Sequence, residues 1–384
     1  MSLFTQLSTS YFFYFSILGL VVPFVAVFLD GKGFSSTEIG EILAIVTASK
    51  IFGPSLWAVL ADKTGRQLSI IRLGALLAAG CFSFLFWLTN YWPITFILAI
   101  FSLFWTAILP QLEVMTLNSV RRSPKIYARI RLWGSIGFIV MAVLAGDFIE
   151  RYSHDAFTVL GLAVLLALYL STLVLKQPKI HLSQITATST IKSKVLDFSF
   201  IVFFVAGLML QISFGPYYNF FAMFLRDQHY SGIVIGLLIG LGVAAEIIIF
   251  IYAGKLFKLF TIKTLLVFSL FITAIRWTLL AQSGDNFWVL IFSQVMHAAS
   301  FGLYHSASIA FIAHHFDVNQ QSRGQALYVG CVYGIGGAIG AYLAGVLWFD
   351  GLGAQLSFNL AAVTVLVGMI FALFIRSSAT HTVK

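Results

Sequence analysis

The chain has 384 residues, 60% of them hydrophobic and 10% charged, with a formal net charge of +9 and a mean hydropathy of +0.96. A soluble domain carries about 25% charged residues, so the polar surface is too small to cover a water-soluble globule. Soluble enzymes, nucleic-acid binders and disordered scaffolds are set aside, and repeated apolar stretches near the ~20 residues that cross a bilayer predict an all-α polytopic membrane protein.

Apolar runs bounded by charges, prolines or glycine clusters predict twelve spans, near 9–29, 39–61, 68–89, 93–118, 129–149, 155–175, 198–225, 231–254, 261–282, 286–313, 324–348 and 353–375. The first is a helix rather than a cleavable leader, because no basic segment precedes it and no small-residue cleavage site closes it. The longest polar stretch, 176–197, holds four Lys and the run Thr186-Ala187-Thr188-Ser189-Thr190. It reads as a linker between a six-helix bundle over 1–175 and another over 198–384.

A sparse internal repeat supports that division. Shifting the first half by 196 residues lays Gly19 on Gly215, Phe28-Leu29 on Phe224-Leu225, Ser35 on Ser231, Ile39-Gly40 on Ile235-Gly236 and Gly134 on Gly330. One register held from the first spans of each half to the fifth predicts two pseudo-symmetric six-helix bundles related by an axis along the membrane normal.

The positive charge is topological. The even-to-odd loops and both termini collect 18 of the 23 Lys and Arg, including Arg121, Arg122, Lys179 and Lys384, whereas the other side holds only Lys32, Arg151 and Arg226. By the positive-inside rule both termini are cytoplasmic. The basic excess therefore points to no nucleic-acid partner. Cys81 and Cys331 both fall in apolar stretches and read as small core residues, not as a disulfide or metal pair. No cofactor is expected, and no Gly-x-x-x-x-Gly-Lys-Ser/Thr loop is present for direct ATP coupling.

Four charges lie well within spans: Lys50, Glu113, Glu246 and Arg276. Each costs roughly 2.5–3.5 kcal/mol at a helix centre on insertion scales, so each must be paired or face water. Lys50 and Glu246 are equivalent under the 196-residue shift. Two readings are open, a structural ion pair across the halves or a site in which Lys50 attracts an anion and Glu246 carries a proton. Aromatic and amide residues on the first, fourth, seventh and tenth spans, namely Tyr11, Tyr14, Trp105, Gln211, Tyr217, Tyr218, Asn219 and Gln294, would with a nearby cation suit an amphipathic aromatic anion.

After the second span the sequence reads Ala58-Val59-Leu60-Ala61-Asp62-Lys63-Thr64-Gly65-Arg66. This resembles the Gly-x-x-x-Asp-Arg/Lys-x-Gly-Arg-Arg/Lys signature of the major facilitator superfamily, with Ala58 and Gln67 as departures. The resemblance implies a conformational motif at Ala58, Asp62, Lys63, Gly65 and Arg66. After the eighth span Lys258 stands in place of Asp62, so a latch is expected mainly in the first half. The fifth span opens Tyr127-Ala128-Arg129-Ile130-Arg131-Leu132-Trp133-Gly134-Ser135-Ile136-Gly137, which resembles the Tyr-Gly-Arg-x-Arg-x-x-Gly-x-x-Gly pattern of the lactose permease and phenylpropionate permease group.

Pro23-Phe24, Gly33-Phe34-Ser35, Glu38-Ile39-Gly40, Arg276-Trp277, His297, Phe301-Gly302-Leu303 and His305 extend the resemblance to the phenylpropionate permease branch. By likeness to the lactose permease, proton coupling falls on Glu246, Arg276 and His297, though span arithmetic makes a direct Glu246–Arg276 pair doubtful. Ser300 replaces that permease's proton-carrying carboxylate, which leaves Glu246 or Glu113 as carrier. Glu113 and Arg131 match its sugar-binding acid and arginine, or form a helix-end ion pair.

The resemblance implies a bacterial inner-membrane secondary transporter, not an enzyme. It would be a monomer in the lipid bilayer, working by alternating access and taking up a small aromatic carboxylate such as 3-phenylpropionate with protons. A sugar or nucleoside symporter, or an exporter of a small amphipathic metabolite, is the alternative.

Overall fold

The computed structural model describes residues 2–120, 123–176, 191–317 and 319–376; within these, the side chains of Ser55, Ala58, Asp62, Lys63 and Pro124 are not described. Arg121, Arg122, Lys179, Lys384 and the Thr186–Thr190 run therefore lie outside the described residues. Among the described residues there is no strand, and twelve helices are long and apolar enough to cross a membrane. They are α1 (Leu3–Gly31), α2 (Ser36–Ala61), α3 (Gln67–Phe86), α4 (Tyr91–Ser119), α5 (Lys125–Tyr152), α6 (Ala156–Leu173), α7 (Phe198–Asp227), α8 (Gly232–Leu259), α9 (Ile262–Ser283), α10 (Phe287–His315), α11 (Gln321–Gly351) and α12 (Ala354–Leu373).

Local chemistry sets the helix ends. Ser35 accepts from the Glu38 backbone N–H while the Glu38 carboxylate accepts from the Ser35 N–H, a reciprocal cap that starts α2. Ser2, Asp197, Thr261 and Asn286 start α1, α7, α9 and α10 through their side-chain oxygens. The helix that includes α2 runs on to Thr64 and ends at Gly65, whose φ of 65° is left-handed. Only glycine adopts that conformation without strain. The Arg72 guanidinium, on α3, donates to the carbonyls of Thr172, Leu173 and Leu175 and so satisfies the open end of α6.

Five helices depart from regular α geometry, α3 by tightening into a 3-10 turn at Phe84–Phe86 and four others more deeply. α4 breaks at Thr106–Ala107, just before Pro110, and α7 breaks at Phe214, just before Pro216. α10 and α11 each widen into a π segment, at Ala298–Leu303 and Val329–Gly336. Such irregularities loosen the backbone ladder and re-aim side chains, and they concentrate at functional sites.

Two compact units emerge, one formed by Met1–Ser183 with Asn219–Gly240 and the other by Gln184–Tyr218 with Leu241–Lys384. The expected division at 176–197 puts all of α7 and α8 in the second bundle, whereas the end of α7 and the start of α8 pack with the first unit. Glycine explains this packing: Gly232 lies on the backbone of Gly146 in α5, and Gly236 lies on that of Ala142.

Inside the units the sequence repeat has a packing counterpart. α1 lies on α5 and α6 and α3 lies on α6; likewise α7 lies on α11 and α12 and α9 lies on α12. Gly19 meets the Phe138 carbonyl and Gly215 meets that of Gly340, so equivalent glycines mark equivalent backbone approaches. Large apolar side chains are exposed along the helices, as a lipid solvent requires. Trp87, Trp92 and Trp288 stand at helix ends on the face opposite the termini, here the distal face, where interfacial tryptophans collect. Cys81 and Cys331 are free thiols, half-buried rather than in the core.

Candidate substrate and proton sites

The second unit holds a chain of three charged or titratable groups. Arg276, on α9, is fully buried, and its Nη1 lies 2.8 Å from His297 Nδ1 on α10 and 3.3 Å from Ser300 Oγ. His297 Nε2 lies 2.6 Å from Glu246 Oε1 on α8. The histidine thus bridges Arg276 and Glu246, and no direct Arg276–Glu246 contact is required. The flat guanidinium lies 4.1 Å from the Tyr217 ring centroid and 4.6 Å from that of Trp277, which favours the cation through the ring quadrupoles. Tyr217 in turn donates its hydroxyl to Gln294 Oε1 at 2.7 Å.

This geometry fixes the proton inventory. A guanidinium only donates, so Nδ1 of His297 accepts from Arg276 and the ring proton sits on Nε2. That proton is donated to Glu246 Oε1. A second ring proton would have to sit on Nδ1, facing the Arg276 N–H, so His297 cannot charge without displacing Arg276. The neutral Ser300 hydroxyl donates back to the backbone of its own helix.

Below this trio Phe301 is stacked between two imidazoles. Its centroid is 5.6 Å from His297 and 6.0 Å from His305, with interplanar angles of 7° and 9°. His305 Nδ1 shares a hydrogen bond of 3.0 Å with the Tyr333 hydroxyl. His305 therefore occupies the same helix face as His297, about 12 Å further along α10, with α11 as its partner.

The first unit is built differently. Glu113, on α4, accepts from the Tyr127 hydroxyl at 3.3 Å, and the Arg131 guanidinium on α5 lies 3.8 Å from the Phe15 ring centroid. Among the described residues Glu113 and Arg131 form no salt bridge, so the helix-end pair is not the arrangement found. Lys50 sits near the middle of α2, half-buried. Within this unit and among the described residues, neither Lys50 nor Arg131 makes a direct salt bridge, although Arg131 and Glu113 are electrostatically coupled.

Next to Arg131 the rings run on from Phe15 to Tyr14 (5.2 Å, edge-on) and from Tyr14 to Trp105 (5.0 Å, stacked). Tyr11, Tyr14, Trp105, Gln211 and Gln294 are all buried; they are packed supports rather than an open lining.

In the conformational motif, Gly65 caps its helix and Arg66 is exposed, while the side chains of Ala58, Asp62 and Lys63 lie outside the description. Sequence reasoning named Glu113, Arg131 and His305 but missed Tyr127, Phe15 and Tyr333 as their respective neighbours. An i to i+4 repeat of imidazole, phenyl and imidazole at 297, 301 and 305 was the available signal for the stack.

Comparison with known proteins agrees with this architecture. The profile of the MFS_1 like family matches residues 4–360. The "Probable 3-phenylpropionic acid transporter" of Escherichia coli (strain K12) is 28% identical over 347 residues, covering 89% of this chain and 90% of that protein. The maltose permease of Geobacillus stearothermophilus is also 28% identical, over 354 residues, covering 87% and 86%. A crystal structure of the nucleoside transporter NupG, a variant at one position, superposes with a TM-score of 0.89 at 17% identity, covering 97% of this chain and 100% of that one. At that identity the likeness shows the fold alone.

Proposed function

From the premise that this chain belongs to the MFS_1 like family and is a small-molecule membrane transporter of the major facilitator type, we propose that it imports a small aromatic carboxylate together with protons by alternating access. The observation that carries this reading is the imbalance inside the first unit. Lys50 is an intramembrane cation with no carboxylate partner among the described residues, and Arg131 makes no direct salt bridge to the acid it is electrostatically coupled to, Glu113, which is engaged by Tyr127. An unpaired cation at membrane depth is costly, so an anionic substrate supplies what the fold omits. Arg131 offers a planar fork that suits a carboxylate, and the buried rings of Phe15, Tyr14 and Trp105 pack behind it as supports.

Glu246 is the proton carrier in this reading. His297 and Arg276 position it, and His305 with Tyr333 lies on the terminal side of the same helix face. Protonation of Glu246 weakens its attraction for the His297 N–H and for the Arg276 charge behind it, which links proton occupancy to the α8–α10 contact. The Asp62–Arg66 loop is the conformational motif. The protein is read as a monomer in a bacterial inner membrane with both termini in the cytoplasm. The E. coli relative supports the aromatic acid, whereas the maltose permease keeps a sugar as the second reading.

The test is uptake into proteoliposomes of 3-phenylpropionate, its amide, maltose and nucleosides under an imposed pH gradient. Preference for the carboxylate over its isosteric amide, lost in Arg131→Gln, is the expected result. Transport of maltose or a nucleoside with no response to the carboxylate would overturn the substrate assignment.

A further inference from the structure

The fourth helix of each repeat loses its regular geometry at the same place. The break in α4 at Thr106–Ala107 falls on 302 and 303 under the 196-residue shift, inside the π segment of α10 at Ala298–Leu303. A neighbouring helix packs there in both repeats, with the small residue exchanged. In the first, Gly53 of α2 faces Thr106, and a Cβ on Gly53 would run into Thr106 Oγ1; in the second, Gly302 of α10 faces Ile249 of α8, and a Cβ on Gly302 would run into Ile249 Cγ2. Positions 249 and 302 are the counterparts of 53 and 106. One contact is kept, and its glycine has changed helix.

The freed backbone is handled differently in the two repeats. Pro110 has no N–H for the Thr106 carbonyl, and its ring crowds the preceding turn. The Ala107 N–H goes to the Phe104 carbonyl at 3.2 Å rather than to that of Leu103, where a regular helix would send it. Two side chains take the Leu103 carbonyl instead. The Thr106 hydroxyl donates to it at 3.1 Å, and the indole N–H of Trp57, on α2, donates at 2.9 Å. The half-buried Trp57 ring spans the break, packing on Ala61, Ile70 and Ala107 and lying 6.0 Å from the Phe104 ring. Its counterpart on α8 is Ala253, which has no side-chain donor.

The groups on either side of the break give this bond its consequence. Trp105, the last residue before it, stacks on Tyr14, Tyr14 meets Phe15, and Phe15 backs the Arg131 guanidinium. Glu113, beyond the break, is held by Tyr127 and makes no direct salt bridge to Arg131. The angle at Thr106–Ala107 therefore sets how far Glu113 stands from the arginine that Trp105 helps to support. Lys50, Gly53 and Trp57 recur at i, i+3 and i+7, so they share one face of α2, and a bond at Trp57 also fixes the rotation of the helix that carries Lys50.

We propose that Trp57 is a positioning residue for anion recognition: its indole N–H caps the Leu103 carbonyl, fixes the break in α4, and so keeps Glu113 at Tyr127 while Arg131 and Lys50 stay available to a carboxylate. The assignment rests on the reading of Lys50 and Arg131 as the ligands of the anion. Trp57 acts through α4 and not by touching the solute.

The test compares the wild type, Trp57→Phe, Pro110→Ala and the double variant in proteoliposomes, by initial rates of 3-phenylpropionate uptake and by amide hydrogen exchange across residues 101–113. Trp57→Phe keeps a ring and removes the donor. It is expected to raise the apparent KM about three- to tenfold with the maximal rate within about twofold, and to speed exchange at the break. Pro110→Ala lets the Ala107 N–H return to the Leu103 carbonyl, so adding Trp57→Phe in that background is expected to change KM by less than about twofold. If Trp57→Phe fails to fold, Gly53→Ala carries the same expectation, because the added methyl meets Thr106 Oγ1, and Thr106→Ala in the same chain is expected to restore KM. An unchanged KM in Trp57→Phe, a lower maximal rate or stability alone, or additive effects in the double variant would overturn the assignment. A wild type that takes up no carboxylate would overturn the anion reading itself; faster exchange in Trp57→Phe would still place Trp57 at the break, and unchanged exchange would remove it.

Discussion

The interiors of the two units carry the same kinds of side chain in opposite states of engagement. In the second unit, Arg276, His297 and Glu246 form a linear chain of short hydrogen bonds through Arg276 Nη1 and the imidazole, beside aromatic rings. In the first, Lys50 has no carboxylate partner among the described residues, and Arg131 makes no direct salt bridge to Glu113, whose hydrogen bond goes to a tyrosine hydroxyl. Such a chain suits a group that must keep its geometry while one proton comes and goes. Unspent cationic donors suit a group that must bind and release a solute. The contrast argues for a division of labour, with proton handling in one repeat and anion recognition in the other.

Breaking the hydrogen-bonded chain has the largest expected effect. Arg276→Ala leaves His297 Nδ1 and Glu246 without their buried cation, and the loss is about 3–5 kcal/mol of stability together with transport; thermal unfolding in detergent reads it. Lys50→Met is expected to move stability the other way, by about 1–2 kcal/mol, because an unpaired intramembrane charge is removed, while carboxylate uptake falls. Opposite signs for these two cation deletions would sharpen the comparison, and equal destabilisation would break it.

Arg131→Gln is expected to raise the apparent KM for a carboxylate about tenfold or more, since a charge-assisted hydrogen bond contributes about 1.5–3 kcal/mol; initial uptake rates measure it. Tyr127→Phe is the mildest change. It frees Glu113 of one hydrogen bond at a net cost of about 1 kcal/mol, and an unfolding midpoint lowered by a few degrees with uptake largely kept is the expected outcome.

Much of the fold was legible because hydropathy and charge bias act over whole spans. All twelve helices stand where apolar runs predict them, and misjudged ends have local causes. α1 begins at Leu3 rather than near residue 9 because Ser2 caps it and Thr5, Gln6 and Ser8 are helical despite their polarity. The site was legible as a set of residues, since a charge within a span is conspicuous. Its connections were not, because they depend on rotation about each helix axis. Span arithmetic made a direct Glu246–Arg276 pair doubtful, and it had no means of placing His297 between them. The membership of the compact units was hidden for a related reason. Gly232 and Gly236 look like ordinary small residues in an apolar helix, and only the backbone contacts with Gly146 and Ala142 draw the start of α8 onto α5.

The division of labour meets its most direct test in Glu246→Gln, assayed in proteoliposomes for two activities of the same preparation: accumulation of 3-phenylpropionate driven by a pH gradient, and exchange of labelled for unlabelled 3-phenylpropionate without a gradient. The account predicts that accumulation is lost and exchange is kept, because the anion is held by Lys50 and Arg131 and the proton by Glu246. Accumulation that survives in Glu246→Gln, or exchange that disappears along with it, would contradict the account.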